Sequence, residues 1–198
     1  MKNFLTIFYL GIYASTVIAQ GIPVSQNTSN RNALLEEFTG VNCPQCPDGH
    51  RIADELVDAN PGRLAAVNIH SGGYASDPTD FRVQDGENLK NTFNIQGYPQ
   101  ASVSRQSNST TSRSAWAGEI SSILSQASYV NLGMQADWDI TTNEATITLQ
   151  AYFTGNSSAT NERLHLYLIQ DDVEGKQSAG STYYPEMVLP NGLYNHKK

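Results

Sequence analysis

Leu34-Leu35-Glu36-Glu37-Phe38, then Cys43-Pro44-Gln45-Cys46, then a helical pattern from Asp48 to Asn60: this stretch decides how the chain is read. An apolar run, a turn, a C-x-x-C motif and a helix put two thiols at a helix N-terminus. Free backbone N–H groups and the helix dipole favour a thiolate there. The motif holds both cysteines of the chain. Cys43, at the turn, is expected to be the more exposed and more acidic thiol, and Cys46 the resolving one. The competing reading is a short structural disulfide, although so small a loop gives little stabilisation by chain entropy.

Working outward, residues 33 to 128 alternate strand and helix signals. Strand runs are expected at 33–38, 64–70 and 101–105. Helices are expected at 47–60, with Pro47 in the first turn and Pro61-Gly62 ending it, at 85–94, and at 114–128. The order β-α-β-α-β-α predicts an α/β unit with parallel strands. After residue 128 the period becomes two. Leu132, Met134, Ala136, Trp138 and Ile140 alternate with polar residues, as do Ala145 to Phe153 and Leu164, Leu166 and Leu168. Three antiparallel strands with one apolar face are expected. The tail, 171–198, reads as mostly loop and supplies no clear covering layer.

The first nineteen residues read as a secretory signal: Lys2, apolar runs at 4–10 and 12–18, and Val17-Ile18-Ala19 before the cleavage point. Residues 20–32 form a polar leader. Removing the signal takes the formal net charge from −7 to −8 through loss of Lys2. An acidic chain without a basic patch excludes nucleic acid as a natural partner. Export places the cysteines in an oxidising compartment, where a disulfide persists. No cysteine lies near position 20, so lipid anchoring by that route is excluded.

Two resemblances follow from these residues. Cys43-Pro44-Gln45-Cys46 after the first strand, Glu37 six residues earlier, and Gly97-Tyr98-Pro99 before the third strand resemble the thioredoxin-like fold over residues 33–128. The wider pattern is similar to the 28-kilodalton outer membrane protein family of Gram-negative bacteria. It comprises Glu36-Glu37-Phe38-Thr39-Gly40 with Cys43, Cys46 and Pro47, then Asn68-Ile69-His70, Gly97-Tyr98-Pro99, the Trp116 helix, Leu164 to Leu168 and Tyr194-Asn195-His196. That resemblance implies a thioredoxin-like domain (33–128) followed by an immunoglobulin-like β domain (129–198), located in the periplasm, outer membrane or cell surface. The family pattern continues beyond Lys198, so the β domain is expected to be incomplete and its apolar row partly open. Asn42 stands where thioredoxins usually carry an aromatic residue.

The resemblance implies catalytic roles for Cys43 and Cys46, a cis Tyr98–Pro99 bond whose backbone binds extended peptide, and Glu37 as a proton relay to Cys46. Glu36 and Glu37 point to opposite faces of a strand, so only one is expected to face a core, and an exposed edge carboxylate is the other reading of Glu37. Cys43, Cys46, His50 and His70 also have the ligand types of a zinc or copper site, against the simpler reading of surface or hydrogen-bonded histidines. No motif calls for a cofactor. Three functions remain open: a thiol–disulfide oxidoreductase acting on protein or peptide thiols and disulfides, a non-catalytic surface or adhesion protein with a structural disulfide, and a Cys/His metal-binding protein.

Overall fold

The computed structural model describes residues 22, 24–76, 80–157 and 161–197. The expected signal segment, 1–19, lies outside them. Strand β1 (Ala33–Thr39) is the centre of a three-stranded sheet, flanked by β2 (Leu64–His70) and β3 (Gln100–Val103). Helix α1 (Cys46–Ala59) connects β1 to β2, which run parallel with Thr39 opposite His70. The residues of α1 that face the sheet, Ile52, Ala53, Leu56 and Val57, recur at three- and four-residue steps. Gly62, at φ +69°, takes the left-handed turn that follows the helix.

The expectation of three parallel strands is corrected at β3, which runs antiparallel to β1. Helix α2 (Gln84–Thr92) is only nine residues long. The chain leaves β2 at His70, opposite Thr39, and re-enters at Gln100, opposite Phe38. It therefore returns at the end of the sheet from which it left, and β3 must point backwards. Helix α3 (Arg113–Leu124) follows, after a single bridge between Ala101 and Thr111.

Because side chains alternate along a strand, β1 feeds two cores. Leu35 packs with Ala53, Ala66, Trp116, Ile120 and Ile123 on the α1/α3 side. Phe38 packs with Val67, Ile69, Phe93 and Ile95 on the other. Both faces are covered, so Glu36 and Glu37 are both fully buried. The expectation that only one could face a core assumed a sheet covered on one side.

Strands β4 (Val130–Asp139) and β5 (Glu144–Phe153) form an antiparallel ribbon, with Met134 opposite Leu149 and Trp138 opposite Ala145. Its apolar row stands in solvent: Leu132 and Met134 are 60 % exposed and Trp138 is 62 % exposed. The third expected strand of this region is not formed. Leu164, Leu166 and Leu168 are exposed, and the alternate residue Tyr167 turns inward to Glu36. The anchored parity is thus the polar-aromatic one, and it commits the leucines to the outside.

The tail is more structured than its sequence suggests. Strand β6 (Val173–Gly175), helix α4 (Gly180–Tyr183) and strand β7 (Tyr194–His196) fold back onto α1 and the loop that carries the cysteines, with β6 and β7 paired antiparallel. Among the described residues no helix is long and apolar enough to cross a membrane.

The two tryptophans report on these two environments. Trp116 is fully buried and Trp138 is 62 % exposed. Acrylamide quenching should resolve one accessible and one protected emitter. In urea unfolding, Trp138→Lys should leave the unfolding free energy within ~0.5 kcal/mol of the parent, whereas Trp116→Ala should cost about 3–5 kcal/mol.

Candidate functional site

The loop between β1 and α1 is held close to a neighbouring turn. A Cβ on Gly40 would lie 2.5–2.7 Å from the backbone of Tyr74 and Ala75, so only glycine fits there. Within the loop, the Cys43 amide donates to the Gly40 carbonyl (3.0 Å) and the Cys46 amide to the Cys43 carbonyl (3.3 Å). Cys43 and Cys46 form a disulfide with Cα atoms 5.4 Å apart. It sits at the N-terminus of α1, as the motif predicts.

Its accessibility differs from the expectation. Cys43 is only 2 % exposed and Cys46 is fully buried. Two segments close over the loop. The Asn42 amide donates to the Tyr74 carbonyl, and its side chain to the Ser76 carbonyl. From the tail, the Gln177 side chain donates to the carbonyls of Gly40 and Cys43, the Ser178 amide donates to the Val41 carbonyl, and Gln45 donates to the Tyr183 hydroxyl. Sequence reasoning missed this cover because its contacts lie about 135 residues away in the chain.

Glu37 lies beneath α1. A Cβ on Gly49 would run into its Oε1 and would come within 2.9 Å of Pro99. The carboxyl, the Pro99 ring and the helix at Gly49, one turn beyond Cys46, therefore meet at one point. Tyr98–Pro99 is cis, as the resemblance implies. The Tyr98 hydroxyl pairs with Ser71 at 3.3 Å, and its ring meets Tyr74 edge-on. Neither oxygen of Glu37 has a hydrogen-bond partner among the described residues. Burial pushes its pKa well above the usual carboxylate range. Asp54 and Asp48 add to the rise, and Arg113 opposes it.

His50 lies on the same face of α1. Its Nε2 is 2.8 Å from the Thr39 hydroxyl and 3.9 Å from Glu37 Oε1, and its Nδ1 is 3.2 Å from the Tyr194 hydroxyl. The ring of His196 bridges it to His70, with centroids 6.4 Å from His50 and 5.2 Å from His70. Burial depresses all three histidines; repulsion from neighbouring rings adds to the fall at His50 and His70, while the hydrogen bond to the Lys176 carbonyl opposes it at His196. His50 falls well below its ordinary value, His70 to about 3 and His196 to about 4. The sulfurs of Cys43 and Cys46, named for the metal alternative, are bonded to each other, and the His50 nitrogens lie against the hydroxyls of Thr39 and Tyr194. Among the described residues no three His, Cys, Asp or Glu groups are placed to hold a metal ion. Tyr194 and His196 also belong to the site; in the sequence they stand out only as part of the family resemblance.

On the opposite face of β1, Glu36 accepts from the Arg105 guanidinium (2.6 Å) and from the Tyr167 hydroxyl. A cavity of about 900 Å³ opens beside it, between β2, α2 and residues 165–170. His70 and His196 reach its wall but neither cysteine does.

These shifts fix a pH dependence. Histidines depressed in the fold bind protons in the unfolded chain first, so their stabilisation is complete above about pH 6.5 and is lost as pH falls. Glu37, raised in the fold, acts in the opposite sense above its unfolded value of about 4.5. Three histidines oppose one carboxyl, so unfolding takes up protons as pH falls below about 6.5. The urea midpoint should fall over that range, and His196→Gln should flatten the dependence.

The family model described as Outer membrane protein Omp28 matches residues 86–196, which include the Tyr98–Pro99 turn and the whole covering tail. Among solved structures, the chain resembles HBP35 of Porphyromonas gingivalis at 20% identity and a TM-score of 0.48, covering 63% of this chain and 44% of that one. It also resembles a protein from Agrobacterium tumefaciens solved by X-ray crystallography, at 11% identity and a TM-score of 0.42, covering 64% of this chain and 70% of that one. The chain thus spans less than half the length of the first of these. No curated protein matches it. With more than half of its length matched to that one model, the chain belongs to the Omp28 outer membrane protein family.

Proposed function

We propose that this is a thiol–disulfide exchange protein of the Gram-negative cell envelope, with Cys43 and Cys46 as its redox pair and exported proteins or peptides as its substrates. Residues 33–128 are read as a thioredoxin-like domain, residues 129–198 as a partial immunoglobulin-like domain, and residues 1–19 as the export signal. The observation that carries the reading is a disulfide at the N-terminus of α1 with an unpartnered, buried carboxyl and Pro99 closing on the same helix at Gly49. A carboxyl without partners gives up stability in the fold, and proton transfer is the chemistry that uses one.

The step is balanced as follows. A reductant thiolate attacks Cys43 Sγ, the Cys43–Cys46 bond breaks, and Cys46 leaves as a thiolate. Glu37, held neutral by burial, supplies its proton. A second reductant thiolate then attacks the mixed disulfide and releases Cys43, so two electrons have entered the pair. Run in reverse, Glu37 takes the proton from Cys46 as it resolves a mixed disulfide. The backbone at Tyr98 is read as the docking edge for the peptide.

Burial of both cysteines supports a second reading, a non-catalytic surface protein whose disulfide is structural. The reduction potential separates the two. A redox pair should equilibrate with glutathione or thioredoxin-type buffers, at roughly −120 to −270 mV, while a structural disulfide should lie below about −300 mV. Cys43→Ser and Cys46→Ser should each abolish dithiol-dependent reduction of a protein disulfide.

Under the redox reading the tail must lift for a protein substrate to reach Cys43. Gln177→Ala and Tyr183→Phe remove the polar contacts that hold it. Each should speed reduction by a small dithiol several-fold at unchanged potential, as read by stopped-flow tryptophan fluorescence. An unchanged rate would show that the cover does not limit access.

A further inference from the structure

We propose that His50 is the proton outlet of Glu37, oriented by Thr39 and by Tyr194 of the covering tail. This rests on the redox reading above. A fully buried acid can donate a proton once. To act again it needs a route by which the proton is replaced, and Glu37 has no hydrogen-bond partner among the described residues. The nearest base is His50, with Nε2 3.9 Å from Glu37 Oε1. That separation exceeds a hydrogen bond, so the transfer requires the ring or the carboxyl to move toward the other. Thr39 stands two residues from Glu37 on the same strand face, and its hydroxyl is 2.8 Å from the same Nε2. The other ring nitrogen faces the Tyr194 hydroxyl at 3.2 Å. His50 thus has one nitrogen turned to the acid and the other to a hydroxyl on a different element.

The proton balance is simple. After Glu37 protonates the departing Cys46 thiolate, its carboxylate takes the Nε2 proton of His50 as Nδ1 takes the proton of the Tyr194 hydroxyl, and water admitted when the tail lifts re-protonates Tyr194, so the net change is one proton taken up from solvent. In the reverse direction Glu37 passes its proton to His50 and becomes the base that Cys46 requires. Both resting groups are neutral, so no charge is stranded in the core between turnovers. The groups facing the pair are known from every element packed on it. Asp48 and Asp54 of α1 and Arg113 of α3 act on Glu37, and His70 of β2 and His196 of β7 act on His50. Tyr194 itself feels Glu37. His50 is a positioning and relay residue here and does not touch the sulfurs.

The test is the rate of disulfide reduction by dithiothreitol from pH 5 to 9, measured in a Gln177→Ala background so that the cover is not the slow step. Glu37→Gln should slow the reaction about 10- to 100-fold and remove one inflection from the pH profile. His50→Gln, which keeps an amide between Thr39 and Tyr194, should remove the same inflection, and the double variant should be no slower than Glu37→Gln alone. Tyr194→Phe keeps the ring and loses the hydroxyl. It should shift that inflection, and it decides the matter if His50→Gln does not fold. A slowed Glu37→Gln beside His50→Gln and Tyr194→Phe variants with the parent profile would overturn the relay and leave the redox reading standing. A parent-like Glu37→Gln would overturn both.

Discussion

From Leu35 to Thr39 every residue of β1 is shut off from water, and two of the five are glutamates. The rest of the molecule is arranged around that constraint. On one side, Glu36 is held by the forked guanidinium of Arg105 and by Tyr167. A buried carboxylate without such partners costs several kcal/mol, so this contact fixes where residues 165–170 cross the sheet. On the other side, Glu37 has no such partner and becomes neutral instead. One strand therefore carries two carboxyls with opposite solutions to the same problem: an ion pair on one face and a held proton on the other.

The site follows from the second solution. Glycine at position 49 is what lets α1 lie against the Glu37 carboxyl and Pro99 at once. The histidines then gather where the chain is already dry. Once the tail adds Tyr194 and His196, three imidazoles share a pocket that favours their uncharged forms. The histidines stabilise such a centre most where the unfolded chain gains nothing by protonating the same rings.

The helix, strand and thiol signals of residues 33–128 were legible because they are local. The C-x-x-C motif, Pro47, the Pro61-Gly62 stop and the spacing of α1 each act within a turn or two of chain. The direction of β3 was not legible, because it depends on where α2 ends relative to β2. Nor was the inward parity of Tyr167, which is decided by a glutamate 131 residues earlier. The tail was read as loop because its elements span three or four residues each. Their order comes from aromatic contacts with the α1 face and from no period of their own.

The cover over the disulfide also sets an order of events in the making of the protein. Gln177 contacts the Cys43 carbonyl across 134 residues of sequence. A chain is synthesised from its N-terminus, and segments emerge in that order. The two cysteines therefore spend the interval between their own emergence and that of the tail without their lid. Their oxidation state is open to the surroundings during that interval, and the arrival of Gln177 and Tyr183 closes it. Once the tail has docked, exchange with the surroundings requires it to lift. The tail thus ties access to the thiols to the docking of a segment that lies 134 residues after Cys43 in the chain.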